Sequence, residues 1–213
     1  NKIYMKLFEE FNLGNINLKN RIVMAPMTRS RAIGNIPNEL MALHYKQRAS
    51  AGLLITEGVS PSPNGLGYAR IPGAFNDEQV EGWKIVTKAV HDSEGKIFMQ
   101  LMHTGRASHA SNLPEGAEVL APSAIALSGE MWTDNDGMQA YLAPKEMSID
   151  EINVAIQEYI DSAKNAIEAG FDGVEIHGAN GYLIDQFNNP ASNKRTDEFG
   201  GSHENMAKFA IEV

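Results

Sequence analysis

His177, Asn180 and Tyr182 stand within six positions of one another, directly after the apolar run GVEI at 173–176. An imidazole, a carboxamide and a phenol supply hydrogen-bond donors and acceptors without a fixed charge. Similar groups recur where other apolar runs end. Pro26, Met27 and Thr28 follow one run, Glu57 and Gly58 close a second, and Gln100 lies in a third that ends near His103. Amide, hydroxyl and imidazole groups without a cluster of carboxylates suit a neutral heteroaromatic ring and a carbonyl better than a metal ion. Taken singly, Gln100 also reads as a core glutamine satisfied by backbone. His177 likewise reads as a capping or core histidine, and Tyr182 as an amphipathic aromatic wedged at a loop.

These groups can meet only if the elements before them run parallel and open on one side. β-rich runs at 20–27, 52–58, 96–103 and 173–177 alternate with amphipathic helices that begin at Asn38, Asn76 and Ser148. Val80, Trp83, Val86 and Val90 draw one apolar stripe, and Ile152, Ile156, Tyr159, Ala163 and Ile167 draw another. Asn76 with Gln79 and Ser148 with Glu151 have capping-box spacing, and Gly52, Gly95 and Gly170 supply stops. Strand-then-helix units in series predict a parallel sheet with right-handed crossovers. No G-x-G-x-x-G follows the first strand and no G-x-x-x-x-G-K-[ST] occurs, which argues against a nucleotide-binding doubly wound sheet. The expected fold is an α/β TIM (β/α)8 barrel.

A whole barrel takes about 250 residues. This chain has 213 and has used four strands by residue 177, so it reads as the N-terminal half of a single barrel domain. Residues 1–4 precede Met5 like an upstream extension, and the helical pattern ENMAKFAIEV reaches Val213 without a cap, so a truncated chain is expected. In a parallel barrel the C-terminal strand ends share one mouth, where the polar groups above would converge. Residues 104–147 leave such an end. Their turn-rich stretches SNLPEG, APSAIALSG and TDNDG read as a surface excursion or a cover for the substrate.

Composition narrows the partners. There are 27 acidic against 18 basic residues, a net charge of −9 without a long like-charge block, so neither a nucleic acid nor an anionic membrane is expected as a partner. The absence of cysteine excludes disulfides, thiolate zinc and iron–sulfur ligation within these residues. No run approaches the roughly 20 apolar residues of a membrane span, and no signal-peptide layout opens the chain, so a cytoplasmic location is expected.

Seven collinear stretches carry a resemblance. APMTR at 25–29, TEG at 56–58, GYARIPG at 67–73, QLMHTGR at 100–106, APSAI at 121–125, HGANGYLIDQF at 177–187 and NKRTDEFGGSHEN at 193–205 resemble successive motifs of the old yellow enzyme family of FMN-dependent ene-reductases. The resemblance implies an eight-stranded barrel with FMN at its C-terminal mouth and an initial hairpin around FNLGNINL. It also implies that NAD(P)H reduces FMN, which then reduces the C=C bond of an α,β-unsaturated carbonyl compound. On the same ground Thr28 places a hydroxyl near the flavin O4, the backbone of Pro26, Met27 and Gly58 lies along the flavin, and Gln100 pairs with its pyrimidine edge. His177 and Asn180 hold the substrate carbonyl, and Tyr182 donates the proton. A phenol suits that last task, since its ordinary pKa of about 10 leaves it protonated at neutral pH.

Some positions depart from the family pattern. Met102 stands where many relatives have tryptophan, which changes pocket shape, and Tyr68 offers either an aromatic wall or a packing group. Glu57 and Glu175 read as barrel-interior or structural carboxylates, and Arg195, Asp197, Gly200 and Gly201 as a loop framework. The family's phosphate-binding loops and a basic residue beside the flavin belong to later strands than those here. Self-association, or completion by a C-terminal half, is therefore expected. Two alternatives are a flavin-free half-barrel that self-associates and is inactive alone, and a barrel of the dienoyl-CoA reductase type.

Overall fold

The computed structural model describes residues 5–213; the reading of residues 1–4 as an upstream extension lies outside them. After a 3-10 turn at Lys6–Phe8 comes a hairpin, β1 (Phe11–Leu13) pairing antiparallel with β2 (Ile16–Leu18) around Gly14, whose φ of 59° suits glycine. Then come β3 (Val23–Met24), α1 (Glu39–Lys46), β4 (Leu53–Val59), α2 (Asp77–His91) and β5 (Ile97–Leu101). Residues 102–148 carry short strands: β6 (Leu120–Ala121), β7 (Glu130–Thr133), β8 (Gly137–Ala140) and β9 (Lys145–Glu146). The chain continues with α3 (Ile149–Glu168), β10 (Gly173–Ile176), α4 (Leu183–Asn188) and α5 (His203–Glu212).

The main sheet is parallel and ordered β10-β5-β4-β3, so its strands neighbour one another in the sequence in which they arise. A doubly wound sheet would reverse that order at a switch point. The unbroken order, with flanking helices, is that of a partial (β/α) barrel.

The helices start where their side chains cap them. The Asn38 side chain accepts from the Met41 N–H, the Asn76 side chain from that of Gln79, and Ser148 and Glu151 satisfy each other's backbone in a full capping box. One face of the sheet, through Leu54, Ile97, Met99 and Leu101, packs in a single core with Trp83, Val86 and Val90 of α2 and Ile152 and Tyr159 of α3. On the other face Leu53, Ile55 and Phe98 pack in a second cluster with Ile16 and Leu18 of the hairpin. β4 is buried along its whole length, as a central parallel strand should be.

Three expectations need correction. The first strand, expected over 20–27, is paired only at Val23–Met24, because β3 is the end strand and the extended residues beyond it have no ladder partner. The helix expected from Asn38 to about residue 50 is regular only to Lys46 and finishes in turns. Residues 104–147 are more ordered than turn chemistry suggested: β7 and β8 form a hairpin closed at TDNDG, where Thr133 Oγ1 donates to the Gly137 carbonyl. Arg195 does act as framework. Its buried guanidinium donates to the Pro122 and Met147 carbonyls just past β6 and β9 and pairs with Asp197. No helix among the described residues is long and apolar enough to cross a membrane.

Candidate active site

The C-terminal ends of β3, β4, β5 and β10 open on one cleft of about 390 Å3. It is lined by Pro26, Met27 and Thr28 after β3, Gly58 in β4, Gln100 in β5 and Met102 just after it, and Glu175, His177, Asn180 and Tyr182 from β10 and its following turn. Nine of the ten expected site residues are thus brought together, in a volume typical of small-molecule sites. Tyr68, the tenth, stands behind the wall, its hydroxyl sharing a 3.0 Å hydrogen bond with that of Tyr182.

Local backbone irregularities set this arrangement. Between Ile55 and Gly58 the β4–β5 register shifts, so that Gly58 comes opposite Gln100, and the Thr56 hydroxyl accepts the Gln100 backbone N–H at 3.0 Å. Met102 fills the space beside Gly58, where an added Cβ would lie 2.5 Å from Met102 Cε. After β10, Asn180 adopts φ of 60° and Gly181 φ of 81°, which turn the chain sharply into α4. The turn is tied to β5, since the His177 N–H donates to the Leu101 carbonyl and the Leu183 N–H to that of His103, each at 3.0 Å.

The Gln100 amide is already half engaged. Its Nε2 donates to Glu175 Oε1 at 2.8 Å, which leaves the second N–H of Nε2 and the acceptor Oε1 to be offered to a ligand. Glu175 is the cleft residue whose role was missed; it is directly opposite Gln100 in the β5–β10 register, so strand alignment held the signal.

Burial holds the His177 imidazole below its ordinary pKa, with the negative charge of Glu175 pulling the other way. A neutral imidazole presents one N–H and one acceptor nitrogen. The His177 and Tyr182 rings meet edge-on with centroids 5.1 Å apart, and Tyr68 packs edge-on against Tyr182 at 6.3 Å. Burial raises the Tyr68 phenol, and the hydrogen bond it shares with Tyr182 adds to that shift.

Two strand-end groups turn elsewhere. His103 is 1% exposed, its Nδ1 accepts the Gly105 N–H at 3.0 Å, and burial lowers its pKa to about 3. Glu57 is buried beside a separate pocket of about 210 Å3 with Arg29, Arg31 and His44; it accepts the Arg29 N–H at 3.2 Å, and burial pushes its pKa up to about 7. The insertion reaches the loop that carries Tyr68: Arg70 pairs with Asp134 at 2.6 Å, and Asn112 Nδ2 donates to the carbonyls of Gly67 and Trp132.

A flat conjugated ring such as FMN fits these residues. The cleft has a glycine in one wall, an acceptor oxygen of Gln100 without a hydrogen-bond partner among the described residues, and the Thr28 hydroxyl at its rim.

The sequence profile of the family described as "NADH:flavin oxidoreductase / NADH oxidase family" matches residues 6–213. A probable flavin mononucleotide-dependent alkene reductase of Leishmania infantum is 47% identical over 206 residues, 94% of this chain and 56% of that protein. The 12-oxophytodienoate reductase 7 of Oryza sativa subsp. japonica is 44% identical over 210 residues, 97% of this chain and 53% of that protein. Among solved structures, the old yellow enzyme homologue from Zymomonas mobilis superposes with a TM-score of 0.93 at 44% identity, covering 98% of this chain and 58% of that one. Morphinone reductase in complex with tetrahydroNAD gives a TM-score of 0.92 at 42% identity, covering 98% and 59%. The chain spans about half the length of the curated relatives it matches. By sequence profile, identity and superposition, it belongs to the old yellow enzyme family of NADH:flavin oxidoreductases.

Proposed function

We propose that this chain supplies the substrate-facing mouth of an FMN-dependent, NAD(P)H-oxidising ene-reductase that acts on α,β-unsaturated carbonyl compounds. The observation that carries the reading is the single cleft in which Thr28, Gln100, His177, Asn180 and Tyr182 meet although they span residues 28–182 of the chain. Thr28, the free oxygen of Gln100 and the backbone of Pro26, Met27 and Gly58 would hold FMN. When bound, FMN supplies hydride transfer between NAD(P)H and the alkene.

The chain's own residues do the rest. His177, neutral at pH 7 because burial lowers its pKa, and Asn180 each direct an N–H at the substrate carbonyl oxygen. Negative charge grows there as the β-carbon accepts hydride, and a well-placed donor is worth roughly 3 to 4 kcal/mol in such sites. Tyr182 holds its O–H for the α-carbon, and its bond to Tyr68 limits the directions in which it can point. Met102 and Tyr68 shape the substrate side.

The protein purified with flavin should be yellow, oxidise NAD(P)H, and convert an enone to the saturated carbonyl compound in equal amount. Flavin binding without enone turnover would contradict the reading. A second reading is a flavin-free module that self-associates. It is favoured by Val23 and Ile176 on the two end strands, 49% and 39% exposed, each strand paired on one side only among the described residues. Discrete colourless oligomers on a sizing column would support it.

A further inference from the structure

We infer that Asp185 and Gln186 are positioning residues of the site, clamping both peptide units around Gly181 and so fixing the directions of Asn180 and Tyr182. This deepens the proposed function and rests on it. Asp185 Oδ2 accepts the Gly181 N–H at 2.7 Å, and Gln186 Nε2 donates to the Gly181 carbonyl at 2.7 Å. The first group belongs to the peptide joining Asn180 to Gly181, the second to the peptide joining Gly181 to Tyr182. With both peptide planes held, the backbone on either side of a glycine that could otherwise rotate freely has one setting. The constraint is needed here, because Asn180 has φ of 60°, a conformation that side-chain-bearing residues adopt rarely.

Gln186 is built for this. The residue is 1% exposed, and every polar atom of its side chain is used on backbone from two loops. Nε2 also donates to the Thr104 carbonyl at 3.0 Å, and Oε1 accepts the Arg106 N–H at 3.1 Å. Gly105 lies directly over the amide. It has φ of 59°, and a Cβ there would come 2.1 Å from Gln186 Oε1, so a side chain at position 105 and this amide exclude each other. Arg106 in turn donates from Nη1 to the Ile125 carbonyl, so the amide links the turn after β10, the loop after β5 and the long insertion. Asp185, in the first turn of α4, also sits where an acidic residue merely favours a helix N-terminus, and the test must separate that role from clamping.

The test compares Asp185→Ala, Asp185→Asn and Tyr182→Phe in the FMN-loaded holoenzyme, with the two half-reactions timed separately. Displacement of Asn180 and Tyr182 should slow enone reduction by about 10- to 100-fold in Asp185→Ala. Flavin content and the rate of flavin reduction by NAD(P)H should stay within about twofold of wild type by the same argument. Asp185→Asn, which retains an acceptor oxygen, should restore most of the loss. Amide hydrogen exchange gives a readout independent of turnover: Gly181 should exchange at least about tenfold faster in Asp185→Ala, as expected when a hydrogen bond worth some 1.4 kcal/mol is lost. Unchanged exchange at Gly181 would overturn the inference, as would equal slowing of both half-reactions with loss of flavin. If Tyr182→Phe slows enone reduction while Asp185→Ala does not, the clamp fails and the proposed function stands. If Tyr182→Phe has no selective effect, the proposed function fails, and Gly181 exchange still decides whether the clamp exists.

Discussion

On the helix side of the sheet, Leu54, Ile97, Met99 and Leu101 meet Trp83, Val86 and Tyr159, all of them at most 2% exposed. At the mouth of the same strands, the Met27 side chain and Asn180 are open to solvent, two consecutive residues have positive φ, and a buried amide leans on a carboxylate. The first region is a close-packed interior, where removing volume costs stability. The second gives up regular backbone and apolar contact so that polar groups can face a ligand. Stability and chemistry thus reside on different faces and ends of the same strands, and variants should separate them.

The largest effects should fall on opposite readouts. Trp83→Ala removes a fully buried indole whose Nε1 donates to the Gly73 carbonyl, and should cost about 3 to 5 kcal/mol in denaturant unfolding. Asn180→Gly keeps the positive φ while removing the amide; it should change stability by no more than about 0.5 kcal/mol and slow enone reduction by roughly 100- to 1,000-fold. Parallel losses of stability and activity in both variants would break the division.

Glu57 tests the boundary between the two regions. Its carboxyl is raised from 4.5 to about 7, so between those values the folded chain binds more protons than the unfolded one. Stability contributed by this group is therefore present below pH 4.5 and lost as pH rises toward 7, by about 3 kcal/mol. Comparing wild type with Glu57→Gln by denaturant unfolding across that range should isolate the slope, which the variant should lack. A smaller effect sharpens the picture at the mouth. Tyr68→Phe removes one neutral hydrogen bond to Tyr182, worth about 1 kcal/mol, and should slow enone reduction roughly fivefold without changing flavin reduction.

Much of this was legible in the sequence, for unequal reasons. α2 and α3 follow from apolar spacing and from caps at Asn76 and Ser148, which are local signals. The partial barrel follows from the alternation of strands and helices together with the lack of the glycine-rich phosphate motifs of a doubly wound sheet. Convergence of Thr28, Gln100 and His177 required topology in addition, because parallel strand ends meet only once the sheet order is assumed. Other features depended on long-range pairing: the shortness of β3 at the sheet edge, the β7–β8 hairpin, and the bond between Gln100 and Glu175. The reach of Asp185 and Gln186 back to Gly181 was hidden for another reason, since it depends on a turn whose conformation spacing does not specify.

In the proposed reaction Tyr182 stands at the reacting end of the cleft and acts after flavin reduction. Rapid-mixing measurement of the two half-reactions in Tyr182→Phe tests it most directly. Flavin reduction by NAD(P)H should proceed at close to the wild-type rate, and reoxidation by an enone should be slowed about 100-fold or more. Reoxidation at the wild-type rate, or equal slowing of both steps, would contradict it.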